Sequence, residues 1–183
     1  SRSTRRDLRD NEHLKLLLAF ALAEDSNCID VGANVGEFLE EIARLAPAGQ
    51  HIAYEPLPDH CAELARRFPQ VDVRQAALSN APGEASFRYV RSQPGMSGLR
   101  ERDYPGKQEV EMLTVRVEDL DSALPDGYVP ALIKIDVEGA EKGVIEGAIG
   151  TIRTHRPIVV LEHGRGAAPH YDTGPADIHQ LLC

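Results

Sequence analysis

The chain has 183 residues, a mass of 20.0 kDa and a formal net charge of −9. That length suits one domain, spanning 1–183, and the ordinary balance of 42% hydrophobic and 27% charged residues speaks against intrinsic disorder. The acidic pI near 5.2 speaks against a nonspecific nucleic-acid binder, and the longest apolar run, Leu16 to Ala23, is eight residues, against the roughly 18 that a membrane helix needs.

Trp is absent and Phe plus Tyr make up only 5%, so the core must be aliphatic. Three cysteines, Cys28, Cys61 and Cys183, cannot pair completely, and no two have CxxC spacing. Reduced thiols in the cytoplasm are the expectation.

Residues 11–23 read as a helix. A regular alternation follows. CIDVG (28–32) is a short apolar strand ending in Gly. EFLEEIARLA (37–46) carries Phe38, Leu39, Ile42, Leu45 and Ala46 on one helical face, and Pro47 stops it. HIAYEP (51–56) is strand-like. A helix over 58–68 starts at Pro58, with Leu57, Cys61, Leu64, Ala65 and Phe68 as its stripe. VDVRQAAL (71–78) reads as a third strand.

This β-α-β-α-β order implies an α/β fold, a Rossmann-like doubly wound and mainly parallel sheet with right-handed crossovers. Residues 85–90 and 109–117 are predicted as two extra strands, with the turn-rich 91–108 between them as a mobile loop. ALIKIDV (131–137) is the fourth core strand. Val144, Ile145, Ala148, Ile149 and Ile152 give one following helix its buried face. RPIVVLEH (156–163) holds the fifth strand. The last residues, with Asp177 as N-cap and Ile178, Leu181 and Leu182 in helical spacing, stop in mid-pattern. The expectation is that the natural protein continues past Cys183 or that another chain covers the apolar edge of strand five.

Four places carry chemistry. The first is Asp30-Val31-Gly32-Ala33-Asn34-Val35-Gly36, between a strand and a helix. Gly32 lets the backbone turn sharply and come close to a ligand at the carboxyl end of the strand. A branched side chain there is expected to block the ligand and leave the fold intact. A GxGxxG dinucleotide fingerprint would need Gly at 34 and 37, where the chain has Asn34 and Glu37. The second is Glu55, which ends strand two 23 residues after Gly32, a place where an acid accepts ribose hydroxyls. The third is Lys134-Ile135-Asp136-Val137-Glu138-Gly139 at the end of strand four. Its carboxylates could orient a hydroxyl, take its proton or hold a metal, and Lys134 shares the parity of Asp136, as an ion pair would require. The fourth is Glu162-His163 at the end of strand five, where His163 is a candidate base. Asp136, Glu162 and His163 together have the chemistry of a Mg²⁺ or Mn²⁺ site, but no third carboxylate accompanies them, so no metal is expected.

CIDVGANVGEF, YEPLPDHCAEL, AALSNAPGEASF, LIKIDVEGAEKGVIEGA and RPIVVLEH, in that order over residues 8–165, resemble the FkbM-type S-adenosylmethionine-dependent methyltransferases. The resemblance implies the class I methyltransferase fold, S-adenosylmethionine as cofactor and methyl transfer to a hydroxyl oxygen. It implies that Asp30, Gly32, Ala33, Asn34 and Gly36 contact the methionine end, that Glu55 holds the ribose, that Pro56, Ala77 and Leu78 border the adenine, and that Asp136 lies near the methyl group. Asp136, Glu138 and His163 are then the catalytic candidates. The class I sheet ends in an antiparallel hairpin, which is expected to be missing here. The N-terminal helix (8–23) and the 91–108 loop are expected to roof a pocket for a small-molecule hydroxyl acceptor, a natural product or a sugar. No nucleic-acid or membrane partner is expected, and the oligomeric state stays open. The [DN]PP[YF] motif of amino-directed nucleic-acid enzymes is absent after strand four, and no Cys stands there for cytosine-C5 chemistry. A non-catalytic scaffold and a nucleotide-cofactor oxidoreductase are the rival readings; the intact Gly32, Glu55 and Asp136 disfavour the first, and Asn34 and Glu37 the second.

Overall fold

The computed structural model describes residues 2–100, 106, 108–162, 171 and 173–183, with side chains from residue 12 onward. Five parallel strands form the central sheet: β1 (Cys28–Val31), β2 (Ile52–Tyr54), β3 (Asp72–Arg74), β7 (Leu132–Ile135) and β8 (Ile158–Leu161). Their order is β3-β2-β1-β7-β8, so the winding reverses between β1 and β7. Ligand crevices open at such a reversal, because the connections leave the two neighbouring strand ends in opposite directions.

Side-chain alternation sorts the sheet into two faces. Ile29, Val31, Ile133 and Ile135 pack on one face with Val144 and Ile145 of α5 (Glu141–Glu146), Ala148, and Ile178 of α7 (Pro175–Leu182). Cys28, Ala53 and Leu132 pack on the other with Leu18 of α1 (Arg2–Ala21), Leu39 and Ile42 of α2 (Glu37–Leu45), and Leu64 of α3 (Pro58–Arg67). The β1–β7 register pairs Asp30 with Lys134, which puts one charged rung into this otherwise apolar second face.

Several expectations need correction. Residues 71–78 are two strands in two sheets. Arg74 O accepts both the Ala76 and Glu55 amides, and this tight turn re-aims the chain after β3. β4 (Ala77–Leu78) then pairs with β6 (Val110–Glu118), which pairs antiparallel with β5 (Gly83–Val90). This small sheet stands apart and does not extend the edge beyond β8. The predicted helix after β7 is two helices, α5 and α6 (Ile149–His155). At the break, α4 (Leu120–Ala123) docks: the Asp121 amide donates to Gly147 O, and its carboxylate accepts the Gly150 and Thr151 amides at 2.8 and 2.7 Å. That cap comes from a distant element, so no local sequence signal announces it. The last helix starts at Pro175, and Asp177 sits inside it, accepting the Gly174 amide at 2.7 Å. Ala65 is exposed on α3 and leaves the predicted stripe. Among the described residues no helix is long and apolar enough to cross a membrane.

Candidate functional site

A cleft of about 700 Å³ opens at the carboxyl ends of β2, β1 and β7. Its lining joins Gly32 and Asn34 after β1, Glu55, Pro56, Leu57 and His60 after β2, Ala77 and Leu78 of β4, and Asp136, Val137, Glu138 and Ala140 after β7. Phe87 of β5 and a strap containing Pro94, Gly95, Ser97 and Leu99 close it from the side of the small sheet. The strap is tied down: Gly98 and Arg88 exchange backbone hydrogen bonds, and Ser97 Oγ accepts the Val90 amide at 3.0 Å.

Glu55 is 4% exposed and uses both carboxylate oxygens. Oε2 accepts the Asn34 amide at 2.8 Å and Oε1 accepts the Leu57 amide at 2.9 Å. One side chain thus fastens the turn after β1 to the start of α3. Each oxygen keeps a second lone pair for a ligand hydroxyl. Burial pushes the Glu55 carboxyl up from its ordinary range, and the two amides partly offset this.

The charged rung lies beneath the cleft, and Asp136 beside it reaches the lining. Lys134 Nζ lies 3.3 Å from Asp30 Oδ1 and 3.4 Å from Asp136 Oδ2, and donates to Gly32 O at 3.1 Å. The contact to Gly32 is a hydrogen bond, and those to the two carboxylates are ion pairs. Burial works against the Lys134 charge, but attraction to Asp30 and Asp136 outweighs it and holds the ammonium above the usual lysine range. Burial pushes Asp30 up against the pull of Lys134. One cation therefore serves two carboxylates, of which Asp136 reaches the cleft, and Glu55 lines its wall.

Gly32, Asn34, Glu55, Pro56, Ala77, Leu78, Asp136 and Glu138 come together in this cleft, drawn from four separate segments. Asp30, Ala33 and Gly36 are buried beneath or beside it and are not in its lining. Asp30 lies within β1, short of the strand's carboxyl end, beside Cys28 on the sheet face that packs against α1 and α2. Gly36 starts α2 with φ +83°, and a Cβ there would stand 2.6 Å from Leu64 Cδ2, so it serves helix packing. Gly32 needs a second correction. Its φ is +79°, and a Cβ would lie 1.9 Å from the Asp136 carbonyl oxygen. A valine there meets backbone before it meets any ligand, so a folded Gly32→Val protein is not expected. Glu162 is exposed at the end of β8 and outside the lining, and His163 lies outside the described residues. Among the described residues no group of three His, Cys, Asp or Glu side chains could hold a metal ion.

The N-terminal helix does not roof the cleft. Leu14, Leu18 and Leu22, spaced by four, dock it on the α2 side of the sheet, and none of its described residues lines the cleft. The 91–108 loop does supply part of the cleft wall, through Pro94, Gly95, Ser97 and Leu99, as expected; His60 and Phe87 were missed. The signal for His60 was available, one turn after Glu55 on the N-terminal end of α3. Phe87 reaches the cleft from β5, in a separate sheet.

A doubly wound sheet with an acid-lined crevice at the strand reversal is the architecture of class I methyltransferases. The fold is similar to that of a TehB-like S-adenosylmethionine-dependent methyltransferase from Corynebacterium glutamicum, with a TM-score of 0.52 at 10% identity over 99% of this chain and 79% of that one. The chain belongs to the methyltransferase FkbM domain family, whose profile matches residues 30–183. It is 26% identical to the hexuronic acid methyltransferase AglP of Haloferax volcanii, over 97% of this chain and 70% of AglP. It is 38% identical over 94 residues to the AMB antimetabolite synthetase AmbE of Pseudomonas aeruginosa, a stretch that spans 49% of this chain and only 4% of AmbE.

Proposed function

We propose that this protein is an S-adenosylmethionine-dependent O-methyltransferase acting on a hydroxyl group of a small molecule, a sugar or a natural product. The observation that carries the reading is Glu55: a buried carboxylate in the cleft wall with lone pairs left for a ribose diol, beside the lining carboxylates Asp136 and Glu138. The donor set fits the cofactor. Glu55 would hold the ribose, Pro56, Leu57, Ala77, Leu78 and Phe87 give the adenine an apolar slot, and the lining around Asp136 suits a cationic centre. When bound, S-adenosylmethionine supplies an electrophilic methyl carbon whose bond to sulfur breaks with the electron pair left on sulfur.

The chain's own work is to position the acceptor, exclude water and receive one proton. An in-line displacement gains most from alignment, and the strap and the β7 turn both line the cleft in which it would be set. An aliphatic hydroxyl must lose its proton during attack, and a carboxylate in the cleft at the β7 end would take it. The name of AglP supports a sugar acceptor. The net charge of −9 supports a small molecule over a nucleic acid.

Calorimetry with S-adenosylhomocysteine and with NAD tests the cofactor. Binding of the first and not the second is expected; preference for NAD would overturn the reading. Incubation with S-adenosylmethionine and a panel of methyl glycosides, read by mass spectrometry, tests the acceptor class.

A further inference from the structure

His60 is the third residue of α3 and lines the cleft with Asn34 and Glu55. Its place follows from how α3 lies. At its start the helix is tied to the turn after β1 by Glu55, which accepts the Asn34 and Leu57 amides at 2.8 and 2.9 Å. Farther on, Leu64 packs against Gly36, and Arg67 donates to Val35 O at 2.6 Å. His60 stands four residues before Leu64, so it shares that helix face and sits at its Asn34–Glu55 end.

The ring is half-buried, and its Nδ1 is shut from solvent with no hydrogen-bond partner among the described residues. An apolar side chain would fill the same space without that loss. Burial pushes the His60 pKa below the usual histidine range, against the pull of Asp59, so the ring is neutral at neutral pH and carries one N–H. With Nδ1 sealed, that proton sits on Nε2, because a buried N–H without an acceptor is the loss that folded proteins avoid most strictly. Nε2 is not sealed in this way, and it is the donor that the ring presents to the cleft.

A ribose hydroxyl calls for such a donor. It has one proton and two lone pairs, and a carboxylate can only accept. Once the proton goes to Glu55, the hydroxyl oxygen is left to accept from a second group. The adenine slot, by contrast, is walled by the apolar Leu57, Ala77, Leu78 and Phe87. We propose that His60 is a second ribose-binding residue: its Nε2–H donates to the oxygen of a cofactor ribose hydroxyl whose proton is held by Glu55. The inference rests on the S-adenosylmethionine reading and adds to it a residue that recognises the sugar and not the base.

The test measures S-adenosylhomocysteine binding by calorimetry for wild type, His60→Leu and His60→Gln. It is repeated with the 2′-deoxy and 3′-deoxy analogues and with S-inosylhomocysteine, which changes only the base. Both variants should unfold within about 2 °C of wild type. His60→Leu should bind S-adenosylhomocysteine about tenfold more weakly; His60→Gln, which keeps an N–H donor at similar reach, should stay within about threefold. For at least one deoxy analogue the penalty relative to S-adenosylhomocysteine should be about fivefold smaller in His60→Leu than in wild type, since the partner of the missing hydroxyl is already gone. The S-inosylhomocysteine penalty should be the same in both. A wild-type Kd in His60→Leu overturns the proposal. Weaker binding with unchanged ribose penalties would reduce the ring to its shape, and a change confined to S-inosylhomocysteine would place it at the base; either result overturns the proposal. Failure of wild type itself to bind S-adenosylhomocysteine overturns the cofactor reading, and this inference with it, before any variant is compared.

Discussion

Glu55 reaches from the end of β2 to the Asn34 amide, 2.8 Å away and 21 residues earlier in the chain, while its other oxygen holds the Leu57 amide at 2.9 Å. The same carboxylate therefore builds the wall it is expected to use. Glu55→Ala orphans two amides and should lower stability by about 2–4 kcal/mol, one to two for each. It should also weaken S-adenosylhomocysteine by more than about tenfold. Glu55→Gln keeps one acceptor oxygen and should fall between. Urea unfolding and calorimetry on the same samples check both effects; full stability in Glu55→Ala would contradict the geometry.

Lys134 lies between Asp30, whose side chain is 0% exposed, and Asp136. Lys134→Met leaves Asp30 buried without a partner and should cost about 3–5 kcal/mol. The double variant Asp30→Asn, Lys134→Met removes both charges and should recover a large part of that loss. Because the Lys134 ammonium is held above the ordinary lysine range, its stabilising contribution is fully present at neutral pH. It is lost as pH rises through that raised value. A double-mutant cycle by chemical denaturation at neutral pH decides the point: additive losses would show that the pair does not couple.

Gly32 is a packing residue as much as a binding one. A Cβ at 1.9 Å from the Asp136 carbonyl oxygen, on backbone with φ +79°, has no relaxed position. Gly32→Ala should destabilise by at least about 3 kcal/mol. A soluble Gly32→Ala protein with a wild-type Tm would refute this.

Cys28 is fully buried on β1, and burial pushes its thiol up to about 12 from an ordinary 9.0. The folded protein therefore keeps the proton over a range in which the unfolded chain releases it. The resulting stability is complete below pH 9 and declines as pH rises toward about 12, by up to about 1.4 kcal/mol per pH unit. Cys28→Ala should show a shallower decline than wild type between pH 9 and 10, whatever its stability at pH 7. Thiol titration offers a second check: exposed Cys183 should react at once, and Cys28 only on unfolding.

Much of the architecture was legible along the chain, because strands and helices announce themselves by local periodicity. All five core strands lie within their predicted spans, and Pro58 and Gly36 mark helix starts. The site was legible where a motif ends a strand, since every parallel strand delivers its carboxyl end to the same edge. Gly32, Asn34, Glu55, Asp136 and Glu138 therefore meet in one cleft. What the sequence could not show were relations between distant segments. The kink at Gln75-Ala76 depends on Arg74 O receiving two amides, one of them from Glu55. The break before α6 depends on Asp121, some thirty residues earlier. Asp30 and Gly36 match the motif as well as Gly32 does, yet a place within β1, below the strand end, and the approach of Leu64 turn them into the core. Local pattern determines which residues become strand, helix or turn; only the packing of one segment on another decides which of them reach the ligand.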